Sequence, residues 1–539
     1  MNPHSGRVSY AQITPQEIEQ KLHSRFAKEG FLTLSDLPDP SMFKNMERAT
    51  QRIVNAIKEG EKIVLIGDYD VDGVVSTTVM KLFFDAIGVP LKWIIPNRFR
   101  DGYGLSSKLI PQIAGYDLAI TVDNGIAAVE AAQRCKEEGI ELIITDHHLL
   151  PQVLPQAYAI IDQKQPSCPF PYEEVCGAQI AWYLIASLNR ALGTKVNTKS
   201  FIALVAIAII ADMMPLQHIN RAMVISGLAL LPRVDFPAIK AFLEYLDKVQ
   251  IEAEDIAFWM APILNSAGRL EDAKWAVEFL LSDNLHDART RLNHLIALNE
   301  KRKEIEQEIT QEASSKVDSN DAVIVVAGEG WHEGVIGIVA ARIGRRYEKP
   351  TILLTDAQNG ELKGSGRSFN ACNLFEITQA SRSLLSKFGG HHAAIGLSLP
   401  RENFEPFKAQ IQANFHAKKY PIEQIDPDIL GRLSFVDISL NLTAMMQRYE
   451  PFGQGNPRPK FLTQGVEIVE LNRMGKNREH HRFLLFHEGK ELQAVLFKSE
   501  EEFDLGERVD IVYTINENHF NNRITLQLMV EKIIRIPRD

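Results

Sequence analysis

EKIVLIGDYDVDGVVSTTVMKLFFDAIG, residues 61–88, joins an apolar run to an acidic corner and then to a second apolar stretch. KIVLIG reads as a buried strand and STTVMKLFFDAIG as a helix. Between them Asp68, Asp70 and Asp72 stand at every second position. Three carboxylates that close repel one another at neutral pH unless a cation neutralises them.

The same texture continues on both sides. QRIVNAIKEG reads as a helix ahead of this stretch. LKWIIP, YDLAITVD and IELIITD read as further strands, with AAVEAAQRCKEEG as a helix between the last two. Short apolar strands alternating with helices predict an α/β fold with a parallel, doubly wound sheet. Ligands of such sheets gather beyond the carboxyl ends of the strands. The acidic motifs fall at that place: Asp68 to Asp72 after KIVLIG, Asp123 after LAIT, and Asp146, His147 and His148 after LIIT. Asp212 closes the apolar AIIAD run.

Each motif alone has a plainer explanation. A DxD can cap a helix, TDHH can start one with its histidines in solvent, and Asp212 can be a satisfied buried carboxylate. Their conjunction on one sheet edge points instead to metal. Magnesium and manganese take carboxylate oxygens, and imidazole pulls the preference toward manganese. Two such ions about 3.5–4 Å apart stabilise both attacking and leaving oxygens of a phosphoester, with no serine or cysteine nucleophile.

The 539 residues suffice for three or four domains, with 45% hydrophobic and 24% charged residues, as in ordinary globular protein. Cys135, Cys168, Cys176 and Cys372 form no CxxC pair, which speaks against a zinc site or a disulfide framework and fits a reducing compartment. MNPHSGRVSYAQ lacks the apolar core of a signal peptide. FIALVAIAIIA, residues 201–211, is shorter than the roughly 20 residues a bilayer requires. A cytoplasmic protein with no membrane partner is expected. The net charge of −10 argues against a uniformly basic surface, yet leaves room for a local basic groove.

Residues 180–260 read as mostly helical. One long connecting helix is expected from Ala273 to Val317. A second α/β unit runs from DAVIVVAGEGWHEG through KGSGRS and KFGGHHAAIG to about residue 416. Beyond Pro421, short alternating strands with Asn/Gly/Glu turns predict a small β-barrel.

The order DxD, VDNG, DHH and AD resembles the DHH phosphoesterase superfamily. The fuller set, GDYDVDGVVST, NRFRDGYGL, TVDNG, TDHH, ADMMPL, NSAGRL, GSGRS, GGHHAAIG and PFGQGNPRPKF, is similar to that superfamily's single-stranded-DNA-specific exonucleases from about residue 45 onward. The resemblance implies a helical extension at 1–45 and a parallel-sheet DHH domain at 46–270. A connecting helix at 271–318, a DHH-associated domain at 319–416 and an OB-like barrel at 417–539 follow. It further implies 5′-to-3′ hydrolysis of single-stranded DNA to mononucleotides in repair and recombination, with two manganese or magnesium ions.

By position in the motifs, the resemblance makes Asp70 and Asp72 ligands of opposite metals and Asp123 their bridge. His147 and Asp212 complete the second metal, and Asp68 joins the shell of the first. His148 contacts the scissile phosphate or orients the site, Asp146 orients a histidine, and Asn124 lies close by. The division of roles between His147 and His148 stays open.

Arg98, and Arg367 with Ser365 and Ser368 in a glycine-rich loop, have the chemistry to grip phosphate, including a 5′-terminal one. Tyr103 either stacks on a base or packs against the GYGL turn. Arg269 is a backbone-contact candidate. His391 either contacts phosphate across an interdomain cleft or orders its glycine turn; His392 receives no role. In the barrel, Arg458, Lys460, Phe461, Arg473, Lys476, Arg478, Arg482, Phe483 and Phe520 interleave charge and aromatics as single-strand binding would use them. Gly453, Gly455, Pro457 and Pro459 shape the backbone. Single-stranded DNA, with repair and replication proteins, are the expected partners of a monomer.

Two other readings compete. A phosphodiesterase of short oligonucleotides or cyclic dinucleotides, or a pyrophosphatase, would share the acids but lack the barrel and connecting helix. A dead scaffold would have lost motif acids, and all are present.

Overall fold

Strand β1 (Ile63–Ile66) is buried at all four positions, as its unbroken IVLI requires of a central parallel strand. In the computed structural model, residues 10–535 are described apart from 358–359, 419–425, 427, 476–477, 500, 521–522 and the side chains of 519–520. Strands β2 (Lys92–Ile94), β3 (Leu118–Val122), β4 (Glu141–Thr145) and β5 (Ala159–Ile161) complete an all-parallel sheet in the order β2-β1-β3-β4-β5. The order reverses beside β1, which opens a crevice at the carboxyl ends of β1 and β3. Apolar side chains cover both faces. Helices Met46–Glu59, Val71–Ala86, Gly177–Ala191 and Ile202–Ala211 build the larger core, and Leu109, Ile113 and Ala132 belong to the smaller one.

The expected single helix from Ala273 to Val317 is two helices, Lys274–Leu280 and Leu285–Ser315. Ser-Asp-Asn at 282–284 explains the break. The Ser282 hydroxyl donates to the Phe279 carbonyl at 2.7 Å, and the Asn284 side chain caps the second helix by accepting from Asp287 N–H at 2.9 Å. Buried Ala288, Leu292, Leu295 and Leu298 belong to the first domain's core, whereas Ile309 and Ala313 join the core of the next domain. One helix thereby ties two hydrophobic cores together.

The second sheet holds β6 (Ile324–Gly328), β7 (Thr351–Asp356), β8 (Leu362–Arg367), β9 (Lys387–His391) and β10 (Ala394–Leu399) in the order β6-β7-β8-β10-β9. KGSGR, expected as a loop, is strand β8 between β7 and β10. Its glycines serve close packing: a Cβ on Gly366 would lie 2.7 Å from Ile395 and 2.8 Å from Leu374. Ser365 and Arg367 alternate with that glycine and share the opposite face.

The barrel contains β11 (Ile429–Arg432), β12 (Lys460–Met474), β13 (His480–His487), β14 (Lys490–Leu496), β15 (Arg508–Phe520) and β16 (Arg523–Arg535). Pairing of β15 back onto β12 closes it. Its core includes residues far away in sequence. Ile13 and, from helix Pro15–Ser24 and the turn after it, Ile18, Leu22 and Phe26 pack with Phe435, Tyr449 and Phe452, while Gln12 bridges to Arg432. The N-terminal segment expected as an extension is, from residue 12 to 26, part of the barrel domain.

Among the described residues no single helix is long and apolar enough to cross a membrane. Helix Ile202–Ala211 is a buried element of the main core.

Candidate active site

The carboxylates converge because each follows a strand or helix end at the same crevice. Asp70 caps helix Val71–Ala86, its Oδ1 accepting from Gly73 N–H at 3.1 Å. Asp72, in the first turn, is fixed by the start of helix Gly177–Ala191: it accepts from Gly177 N–H at 2.6 Å and Ala178 N–H at 2.8 Å. Asp123 follows β3 with φ of 60°, and Asp212 ends helix Ile202–Ala211.

Among the described residues the donors fall into three groups that overlap through Asp123 and His147: Asp68, Asp70 and Asp123; Asp72, His147 and Asp212; and Asp123, His147 and His148. His147 Nε2 joins them, at 3.1 Å from Asp123 Oδ1 and 3.7 Å from both Asp72 Oδ2 and Asp212 Oδ2. Four buried oxygens here have no hydrogen-bond donor: Asp68 Oδ1, both of Asp123, and Asp212 Oδ2. Burial, reinforced by neighbouring carboxylates, pushes Asp72 up to about 6 and Asp212 to about 9, and lifts Asp68 and Asp123 well above the carboxylate range. Burial, with the charge of His148, pushes His147 down to about 3, which leaves its imidazole neutral. Hard oxygens without donors beside one neutral imidazole fit divalent magnesium or manganese.

Asp146 points elsewhere. Its Oδ2 accepts from Ile126 N–H at 2.8 Å, while Oδ1 accepts from His147 N–H at 2.8 Å, His148 N–H at 3.2 Å and His148 Nδ1 at 2.6 Å. Burial lowers the His148 pKa, but the Asp146 bond and the acids Asp68 and Asp70 outweigh it and raise the group to about 9. With Nδ1 donating to Asp146, Nε2 faces the Tyr103 hydroxyl at 3.3 Å. Tyr103 is 48% exposed and stands edge-on to both Tyr69 and His148. Asn124 turns away from the acids: its amide clasps the Ile66 and Val122 carbonyls and Leu105 N–H, tying β1 to β3.

Guanidinium groups gather opposite the acids. Arg98 lies 4.2 Å over the Tyr69 ring. Arg269 reaches across to the Gly334 carbonyl at 3.3 Å, and Arg367 bonds Ser365 Oγ at 3.0 Å and the Gly366 carbonyl at 2.8 Å. Burial first, then the like charges of Arg98, Arg302 and Arg367, push Arg269 down to about 10, while Asp70 opposes that shift. The bank thus spans both α/β domains. His391 ends β9; burial and the charges of Arg367, His392 and His148 lower its pKa. Its Nδ1 also accepts from Ala393 N–H at 3.3 Å, which orders the turn. The Ser368 hydroxyl is engaged by protein partners: it donates to the His392 carbonyl and accepts from Leu374 N–H at 3.3 Å.

Three residues escaped the motif reading. Arg302, on the long helix, is buried against Glu306 at 2.6 Å, and its only signal is an Asn299–Arg302–Glu306 polar patch at helical spacing between apolar positions. Lys164 anchors His147 by donating to its carbonyl at 2.5 Å. Phe258, 72% exposed, borders a cavity of about 590 Å³ with Met213, Asn265, Arg269, Ile338 and Gln454, so all three domains meet there.

Several barrel residues expected to contact a strand are buried or ion-paired. Phe461 and Phe483 are fully buried, since strand alternation turns them into the core. Arg458 pairs with Glu254 at 2.6 Å, Lys460 with Glu531 at 2.8 Å and Arg473 with Glu502 at 2.8 Å. Arg482 bonds Gln493 at 2.9 Å, and Arg478 is exposed. Lys476 and the Phe520 side chain lie outside the described residues.

Residues 62–209 match the DHH family, N-terminal domain; 320–417 match the DHHA1 domain; and 430–532 match the RecJ OB domain. The single-stranded-DNA-specific exonuclease RecJ of Salmonella typhimurium is 34% identical over 96% of this chain and 96% of its own. The chain belongs to the RecJ family. RecJ of Bacillus subtilis is 35% identical over 92% of this chain, which spans 64% of that longer relative. A crystal structure of Thermus thermophilus RecJ with Mn2+ superposes with a TM-score of 0.81 at 25% identity, covering 99% of this chain and 80% of that one. RecJ from the same source has also been crystallised with Mg2+. The three domain matches fall in turn on the doubly wound domain, the second α/β domain and the barrel described above.

Proposed function

We propose that this chain is a metal-dependent exonuclease that hydrolyses single-stranded DNA from its 5′ end to mononucleotides, in repair and recombination. The observation that carries the reading is Asp123: both its buried oxygens lack a donor, it clusters with Asp68 and Asp70, and its Oδ1 lies 3.1 Å from His147 of the other acidic group. Asp68, Asp70 and Asp123 would hold one divalent ion; Asp72, Asp123, His147 and Asp212 would hold the other. When bound, the pair supplies Lewis acidity toward the phosphate and a water activated near neutral pH.

The chain's own groups do the rest. Arg98, Arg269 and Arg367 bind phosphate oxygens, and forks held in place by Tyr69, Gly334 and Ser365 lose little freedom in doing so. Ser365 acts through Arg367, and His391 offers a further contact across the cleft. His148, charged by Asp146, keeps a proton at Nε2 for a phosphate oxygen, while Tyr103 stacks on the adjacent base. The three-domain cavity gives the strand its route, and a cleft that admits one strand but not a duplex would account for single-strand preference. A cytoplasmic monomer working with repair and replication proteins fits the same reading.

The test is a 5′-labelled single strand and its duplex, each with manganese and with chelator. Labelled mononucleotide is expected from the single strand only, and only with metal. An intact strand alongside a cleaved dinucleotide would replace this reading with that of a small-substrate phosphodiesterase.

A further inference from the structure

Asp212 differs from Asp72 and Asp146 in how it is held. Asp72 and Asp146 are fixed through their carboxylates by backbone N–H donors, whereas Asp212 Oδ2 has no donor. Its place is set by the turn that carries it. That turn leaves helix Ile202–Ala211 through Met213, a non-glycine residue at φ of 55°, and runs into Pro215 and Leu216.

The outer side of the turn rests on the segment leading into the barrel. Leu216 N–H donates to the Gln454 carbonyl at 2.7 Å, and the Gln217 side chain donates to the Gly455 carbonyl at 2.7 Å. Gly455 has φ of 71°, and a Cβ there would stand 2.9 Å from Pro215 Cβ; one on Gly453 would stand 2.8 Å from Leu216. At 455 only glycine permits this approach, since positive φ and the rigid proline leave nothing to give, whereas the Leu216 side chain can turn away from a Cβ at 453. The supporting segment is itself rigid. Buried Asn456 donates to the Tyr449 and Pro451 carbonyls at 2.8 and 3.0 Å, exchanges backbone bonds with Gly453, and accepts from Arg25 at 2.9 Å. Beyond the turn, Arg221 donates to the Glu450 carbonyl at 2.6 Å while stacked over Phe26 and Phe31.

We propose that the Gln454–Gly455 turn is a positioning element for Asp212, so that docking of the barrel domain completes the second metal position. Gln217, Gly453 and Gly455 are its positioning residues. The proposal rests on the two-metal reading above. Outer partners that orient metal ligands typically change affinity about 10- to 100-fold when removed.

The experiment is Mn2+ titration of the full chain, with free Mn2+ followed by electron paramagnetic resonance. Melting temperature and metal-free affinity for a labelled single strand are read in parallel. Gly455→Ala and the milder Gln217→Ala should each weaken one Mn2+ about 10-fold or more, leaving the other Mn2+ and strand affinity unchanged. Gly506→Ala, at another positive-φ glycine of the barrel domain with no neighbour near its Cβ, should lower the melting temperature without moving either Mn2+. Equal Mn2+ affinity in Gln217→Ala and wild type, or equal losses in Gly455→Ala and Gly506→Ala, overturns the positioning role. Two further outcomes separate the two ideas: a wild type that binds fewer than two Mn2+ would fail the two-metal reading itself, whereas Asp212→Asn binding both Mn2+ with unchanged affinity would remove Asp212 from the ligands and overturn its positioning.

Discussion

Asp123 occupies the left-handed region, which aspartate tolerates better than most residues, and its N–H is fixed by the Thr145 carbonyl at 3.0 Å. An ionised carboxylate buried without donors costs several kcal/mol. Asp123→Ala should therefore abolish hydrolysis, by on the order of 10³-fold or more in turnover. The metal-free protein should melt at a higher temperature, since a repulsive buried group is gone; calorimetry with chelator checks this, and circular dichroism shows the fold intact. Asp146→Asn acts differently. It removes the charge that lifts His148 to about 9, so the basic limb of the rate–pH profile should move to lower pH. Activity at pH 8 should then fall further than activity at pH 6.

Strands and helices carry these groups with uneven legibility. Each acid was readable because it directly follows a contiguous apolar run, and the run and its chemistry share one short window of sequence. KGSGR was misread because glycine usually weakens a strand; here it admits Leu374 and Ile395, which lie elsewhere in the chain. The break at 282–284 had a local signal in its Ser-Asp-Asn, overridden by the long polar–apolar helical pattern on either side. Phe461 and Phe483 looked like stacking aromatics because sequence shows interleaving with charge but not which strand face points inward. Phe483→Ala should cost about 3–5 kcal/mol, typical of emptying a core aromatic site. Denaturant unfolding of the barrel checks that loss. Strand affinity should persist wherever the barrel remains folded.

Across the whole molecule, metal and protons compete. Asp72 and Asp212 bind protons more tightly in the folded, metal-free chain than in the unfolded one. Stability without metal should thus fall as pH rises from the ordinary carboxylate range toward about 9. Divalent ions displace those protons, so the gain in melting temperature from Mn2+ should be larger at pH 8 than at pH 6. Thermal scans with metal and with chelator at both values decide it. Removing residues 10–26 should lower barrel stability although the deleted segment lies far from it in sequence. No local pattern could have announced that packing, because its two halves are separated by two entire domains.

That packing also has a consequence for synthesis. Ile18, Leu22 and Phe26 leave the ribosome roughly 400 residues before their partners, an interval of about 20–80 s at ~5–20 residues per second. Both α/β domains can fold during this wait, while the amphipathic N-terminal helix has nowhere to bury its apolar face. It is then a natural target for a chaperone. The barrel closes only after nearly the whole chain has emerged, so a nascent chain stalled earlier carries the acids without the segment that supports Asp212.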